Sequence, residues 1–313
     1  MNFKPLILLG KHCNAQEVFD GSSNQFDFES VVSLGNPTHT DSSILRINTP
    51  SAIKNSQNRY KTKVILAPIA GVNTSKYVEL RSVYESSRGT RGLHLDTILD
   101  HLSLPIVAKA RNVDNRNHQF LPTADDLVDF VKDLPDTGID SYILEPYFKH
   151  NEEYRVYASP FLEQHPMKYI FDRIVEKNGK PSLVTVDEAT RRDGIILATR
   201  LLAEKSAKRI NQRRASNPFR YENTEVPAEL LTAAMRAIKA MGLDVGFVDF
   251  LYNSITESHK VTRVGTNPGN GLDKSGRNLV AEYLDKALRD IIMHKHLTRN
   301  RITQIPKYGG PNS

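Results

Sequence analysis

Met241-Gly-Leu-Asp-Val-Gly-Phe-Val-Asp249-Phe-Leu-Tyr252 is followed, after a short connection, by Lys260-Val-Thr-Arg-Val-Gly-Thr-Asn267-Pro-Gly269. The first stretch reads as a helix end running into a strand that carries one carboxylate. The second reads as a strand that ends in an Asn-Pro-Gly turn. Asp249 interrupts an apolar run, and a carboxylate there is costly to bury unless a positive group faces it. Mg²⁺ would serve, and so would Arg or Lys; the metal is the first expectation. Asn267 can offer a carbonyl oxygen to the same ion, or be part of a plain turn. Two neighbouring strands that present oxygen ligands side by side can hold Mg²⁺ against a nucleotide's phosphates.

The remaining chemistry candidates lie upstream. Leu104-Pro-Ile-Val-Ala-Lys109-Ala-Arg111 is an apolar strand ending in positive charge. Lys109 is either a surface lysine or a compact cation aimed at phosphate. Ile143-Leu-Glu145-Pro-Tyr147-Phe148 is either a core strand or a strand whose backbone meets a nucleotide base. In Glu152-Glu-Tyr-Arg155-Val-Tyr157, alternation sends Glu153, Arg155 and Tyr157 to one face. Arg155 can hold a phosphate or carboxylate bidentately, or pair with Glu153 on a solvated face.

Around these motifs the chain reads as alternating helices and strands. Strands are expected at Pro5–Leu9, Val31–Leu34, Ser43–Ile47, Ser141–Phe148, Tyr154–Ser159 and Tyr169–Val175. Residues 62–69 fit either a helix end or a strand. Thr123 with Asp126 predicts a capped helix start, and Asp136-Thr-Gly138 its end. Asn178-Gly179 is a hairpin signal. Ile195, Ala198, Leu201 and Leu202 predict a helix within 185–204. Pro227 opens a helix with Leu231, Ala234, Ile238 and Met241 on one face, closed by Gly242. Residues 278–297 predict a final amphipathic helix.

The chain has 313 residues, 39% hydrophobic and 25% charged, which is ordinary for a globular protein. Cys13, the one cysteine, excludes an intrachain disulfide and a Cys-rich zinc site. No apolar run is long enough to span a membrane, and Met1 to Gly10 reads as a first buried strand, so a cytoplasmic setting is expected. The formal net charge is +6 and the pI about 9.2. Lys205, Lys208, Arg209, Arg213, Arg214 and Arg220 crowd one segment, a candidate nucleic-acid contact or a solvated loop.

In order, these stretches resemble the ATP-grasp superfamily, and within it the carboxylate–amine ligases of the glutamate-ligase type found in phages and bacteria. The matching pieces are Asn58-Arg-Tyr-Lys-Thr62, Pro105–Lys109, Ile143–Phe148, Glu153–Val156, Ala233–Asp249 and Val261–Gly269. The resemblance implies an α+β fold of two lobes gripping a nucleotide. The expected division is an N-terminal α/β unit over 1–60, a small lobe over 61–150, a large lobe over 151–297 with a basic insertion at 205–223, and a tail over 298–313. It implies ATP and Mg²⁺ as cofactors. A carboxylate and an amine, borne by small molecules, peptides or modified nucleotides, would be joined through an acyl phosphate. Lys109 would contact phosphates; Glu145, Tyr147 and Phe148 would frame adenine; Asp249 and Asn267 would hold Mg²⁺. Arg155 and Arg173 would stabilise the acyl-phosphate end.

The chain departs from the family at three places. The glutamate and asparagine that usually bind metal fall on Arg263 and Gly265 when the Pro-Gly is aligned. Shifting Asn267 into the asparagine role moves the glutamate position to Gly265; Glu257, Asn270 and Asp273 are the nearby replacements. The lysine of the first motif is Arg59. The loop after Lys109 carries no glycine. A scaffold that binds nucleotide without turnover is the alternative reading.

Overall fold

In the computed structural model, residues 5–10, 29–38, 44–87, 90–112, 118–150, 152–160, 174–177, 180–183, 196–201, 226–267, 284 and 287–296 are described. Strands β1 (Leu6–Leu9), β2 (Ser30–Leu34) and β3 (Leu45–Ile47) form a parallel sheet. Helices α1 (Pro50–Ser56) and α2 (Arg59–Leu66) follow. The side chains of Thr49 and Asn58 cap them by accepting from the Ala52 and Lys61 amides. Residues 62–69, legible as either helix or strand, are therefore largely the end of α2.

An antiparallel sheet comes next, in the order β4 (Val78–Glu79), β9 (Tyr142–Pro146), β7 (Ile106–Ala110), β8 (His118–Leu121). The hairpin of β5 (Tyr84–Ser87) and β6 (Thr90–Leu93) adjoins its core through Tyr84 and Leu93. Helices α3 (Leu95–His101), α4 (Ala124–Lys132) and α5 (Asp136–Ile139) cover the sheet, burying Ile98, Leu127 and Ile139 against Ile106, Ala108 and Leu144. Thr123 and Asp126 make the full capping box at the start of α4. Asp136-Thr-Gly138, expected to end a helix, instead begins the short α5.

The third sheet is antiparallel, in the order β13 (Ile196–Leu201), β10 (Glu152–Ala158), β14 (Gly246–Asn253), β15 (Ser258–Gly265). Strands β11 (Ile174–Lys177) and β12 (Lys180–Leu183) pair antiparallel as a separate two-stranded sheet; Asn178-Gly179, the expected hairpin turn, lies outside the described residues. Ile196–Leu201 is a strand, where helical spacing had predicted a helix. Its backbone completes the ladder along β10, whose unpaired groups on that side would otherwise form a sheet edge. Pairing with a neighbour outweighs the local period.

Helix α6 (Ala228–Ala240) lies on one face of this sheet. Ala233, Ala234, Ala237 and Ile238 pack on Val156, Val248, Phe250 and Val264. Gly242, at φ +69°, closes the helix in a conformation that disfavours other residues. The opposite face divides in two. Tyr157 and Phe247 are buried against β2, β3 and the helix α7 (residues 287–296). Each such large apolar side chain contributes about 1.5–3 kcal/mol when fully buried. Beyond them the same face carries Arg155 and Asp249.

Candidate functional site

Sheet register builds the large-lobe half of the site. Arg155 on β10 lies opposite Asp249 on β14, and Asp249 lies opposite Arg263 on β15. Lys260 and Arg263 are an odd number of residues apart, so simple alternation would set them on opposite faces. The ladder shifts register between Asp249 and Phe250, leaving Thr262 as the extra residue of a bulge. Val261 and Val264 thereby both join the core under α6, and Arg263 turns to the face of Asp249. The Thr262 hydroxyl donates to the Asp249 carbonyl at 3.2 Å.

Arg155 donates to both oxygens of Asp249, Nε to Oδ1 at 2.6 Å and a terminal nitrogen to Oδ2 at 3.0 Å. Arg155 as a whole is 2% exposed. Burial opposes the charge, but Asp249 and the Tyr157 hydroxyl outweigh it and raise the Arg155 pKa. Burial also pushes the Tyr157 phenol up to about 12, against the pull of Arg155. Arg155 is buried, so it does not lie on a solvated face as in the alternative reading, and Glu153 lies 3.6 Å from His150. The guanidiniums of Arg155 and Arg263 both lie over the Phe247 ring, 4.2 and 5.3 Å from its centroid.

The other half comes from the small sheet and α2. Glu145 on β9 is 2% exposed. It accepts from Lys109 of β7 at 2.9 Å and lies 3.1 Å from Lys63 of α2. Burial alone would raise its pKa; Lys109 and Lys63 outweigh this and hold it at about 2. For Lys63 burial is the largest influence and lowers the pKa. Glu145 opposes it, and the nearby charges of Lys109 and Lys260 add to it. The charge of Lys260, on the third sheet, thus acts on Lys63. Tyr147 and Phe148 are half-buried beyond Glu145, Tyr147 edge-on to Phe120 at 5.1 Å and Phe148 stacked with His150. The Tyr147 amide is held by the Pro105 carbonyl.

Arg59, which stands at the family's lysine position, is 8% exposed and donates to the carbonyls of Ala110 and Asn112 at 2.6 and 2.9 Å. It fixes the end of the strand that carries Lys109. Asn267 lies past the end of β15, with its Cβ 3.1 Å from where a side chain on Gly35 would begin. Its Oδ1 is buried with no hydrogen-bond partner. Glu257 is exposed in the β14–β15 turn. Arg173, Asn270, Asp273 and the basic segment Lys205–Arg220 lie outside the described residues.

The family's Mg²⁺ can be tested against these groups. Both Asp249 oxygens are engaged by Arg155, and a second cation, Arg263, takes the place expected for a carboxylate. At Gly265, the place expected for asparagine, a Cβ would lie 2.5 Å from the Phe247 ring. Among the described residues no three His, Cys, Asp or Glu side chains group to hold a metal. The described residues do not fit Mg²⁺ here.

Lys63 was not among the sequence candidates, although Arg59 and Lys63 are spaced one helical turn apart and so share a face. That signal depends on knowing that 59–66 is a helix. Lys260 was hidden by the bulge.

No protein-family model and no curated protein matches this sequence. Solved structures do match the fold. D-alanyl-alanine synthetase A from Vibrio cholerae superposes with a TM-score of 0.53 at 12% identity, over 94% of this chain and 98% of that one. D-alanine–D-alanine ligase from Bacillus anthracis, complexed with ATP, gives 0.52 at 16% identity, over 95% and 99%. A RimK domain ATP-grasp protein from Sphaerobacter thermophilus gives 0.52 at 12% identity, over 92% and 99%. No helix among the described residues is long and apolar enough to cross a membrane. An α/β unit followed by two α+β lobes, matched over nearly the whole length of these proteins, gives this chain the ATP-grasp fold.

Proposed function

We propose that this chain is an ATP-dependent ligase that joins a carboxylate to an amine. The observation that carries the reading is the meeting of Lys63 and Lys109 on one buried carboxylate, with the charge of Lys260 acting on Lys63, in an ATP-grasp fold. Two ammonium groups against the single carboxylate of Glu145 leave a surplus of positive charge suited to a polyphosphate. Tyr147 and Phe148, past the end of β9, supply apolar surface for the base. A carboxylate oxygen of the first substrate attacks the γ-phosphorus and ADP leaves. The nitrogen of the second substrate then attacks the acyl carbon, inorganic phosphate leaves, and the amine gives up a proton. The chain's contribution is alignment and charge stabilisation, which is most of what phosphoryl transfer requires. Arg155 acts as a positioning residue that holds Asp249.

A second reading is favoured by Arg263: the fold binds ATP and does not turn it over. One assay separates the two. Purified protein is incubated with ATP and pairs of amino acids, peptides or modified nucleotides, and ADP is measured. The ligase reading predicts ADP only when a carboxylate and an amine are both present. It predicts a loss of about tenfold or more in Lys109→Ala. ATP binding without ADP from any pair supports the second reading.

A further inference from the structure

Phe247 and the two guanidiniums on its face occupy the ground where an ATP-grasp metal centre is expected. The asparagine position is Gly265, and the Phe247 ring fills the space an asparagine side chain would need. The glutamate position is Arg263, and its guanidinium lies over the same ring as that of Arg155. Asp249 is ion-paired to Arg155 and lies across the ladder from a second arginine, Arg263. A divalent cation placed there would be repelled by both arginines and would find the Asp249 oxygens already engaged. The changes are mutually consistent: ring, glycine and arginine fit one another and jointly exclude the metal.

We propose that this site binds the nucleotide's terminal phosphates without a divalent cation, the Arg263 guanidinium standing in for the metal. A guanidinium presents a planar set of donors that matches two phosphate oxygens, and it stays charged at every physiological pH. Arg155 neutralises Asp249, which would otherwise repel the phosphates. Lys260, brought to the same face by the Thr262 bulge, adds a second cation along β15. The inference rests on the ATP-binding reading above.

Calorimetric titration of ATP into the full chain tests it, once in excess EDTA and once in excess Mg²⁺. The expected result is binding in both buffers with affinities within about threefold, since fixed charges do the neutralising. Arg263→Met, which removes the charge and keeps the bulk, is expected to weaken binding in EDTA by about tenfold or more. Arg263→Glu, which restores the family's acid, is expected to lose binding in EDTA and to recover part of it with Mg²⁺. Thermal melts of both variants establish that they are folded. Wild-type binding that appears only with Mg²⁺, or a folded Arg263→Met that binds like wild type in EDTA, overturns the proposal while leaving the nucleotide reading intact. A wild-type chain that binds ATP in neither buffer overturns the nucleotide reading, and this inference with it.

Discussion

Glu145 shows how much one buried charge can organise. It is a carboxylate with almost no access to water, and it is stable there only because Lys63 and Lys109 reach it from two different elements. Its folded pKa, about 2, lies below the ordinary value near 4.5. The sign follows from linkage: a depressed carboxylate pKa stabilises the fold above the unfolded value, and that stabilisation disappears as pH falls from about 4.5 through about 2. Denaturant titrations across that range should show wild-type stability falling, while Glu145→Gln, already weaker by about 3–5 kcal/mol at neutral pH, should lose less over the same interval. Equal pH slopes in the two proteins would show that Glu145 is not held by these lysines. Asp249 belongs to the same logic with a different partner. The residues around it allowed metal, Arg or Lys from sequence alone, and Arg155 is the one across the ladder.

At the scale of elements, the legible parts were those in which local signal and tertiary demand agree. Ala228–Ala240 combines strong helix formers with an apolar stripe and ends at a glycine, and each feature survives in α6. The alternation of Glu152–Tyr157 placed Arg155 and Tyr157 on one face, where they are found. The β14–β15 pair was legible as two strands, but its bulge was not. No local preference marks Thr262 as the residue left over; the bulge follows from burying both Val261 and Val264 under α6. Reading Lys260 and Arg263 as neighbours therefore required the third dimension. The strand at Ile196–Leu201 was missed for a related reason: its period is set by nothing local, and its conformation by the open side of β10. Lys63 was missed because 62–69 did not declare its own secondary structure.

Across the whole molecule, single residues tie the units together. Asn48, buried at φ +58°, accepts from the amides of Asp244 and Val245 and donates to the carbonyls of Ser33 and Val245. Its own amide donates to the Asp244 carboxylate, which also receives Lys295 of α7 at 2.6 Å. One asparagine thus joins the N-terminal sheet, the entry to β14 and the last helix. Asn48→Ala strands several buried polar groups at about 1–3 kcal/mol each, so its melting temperature should drop by several degrees or more. An unchanged melting curve would mean that the units are held by their apolar contacts alone. Helix α2 makes the second connection: Arg59 and Lys63 reach the small sheet, while Leu66 belongs to the core under α6. Helix α2 thus links the small sheet to the core under α6, and the account stands or falls on what binds beside its lysine. A crystal structure with a non-hydrolysable ATP analogue measures this directly. The account predicts the triphosphate within about 3 Å of the Lys109 and Lys260 ammonium groups; an analogue bound away from both would contradict it.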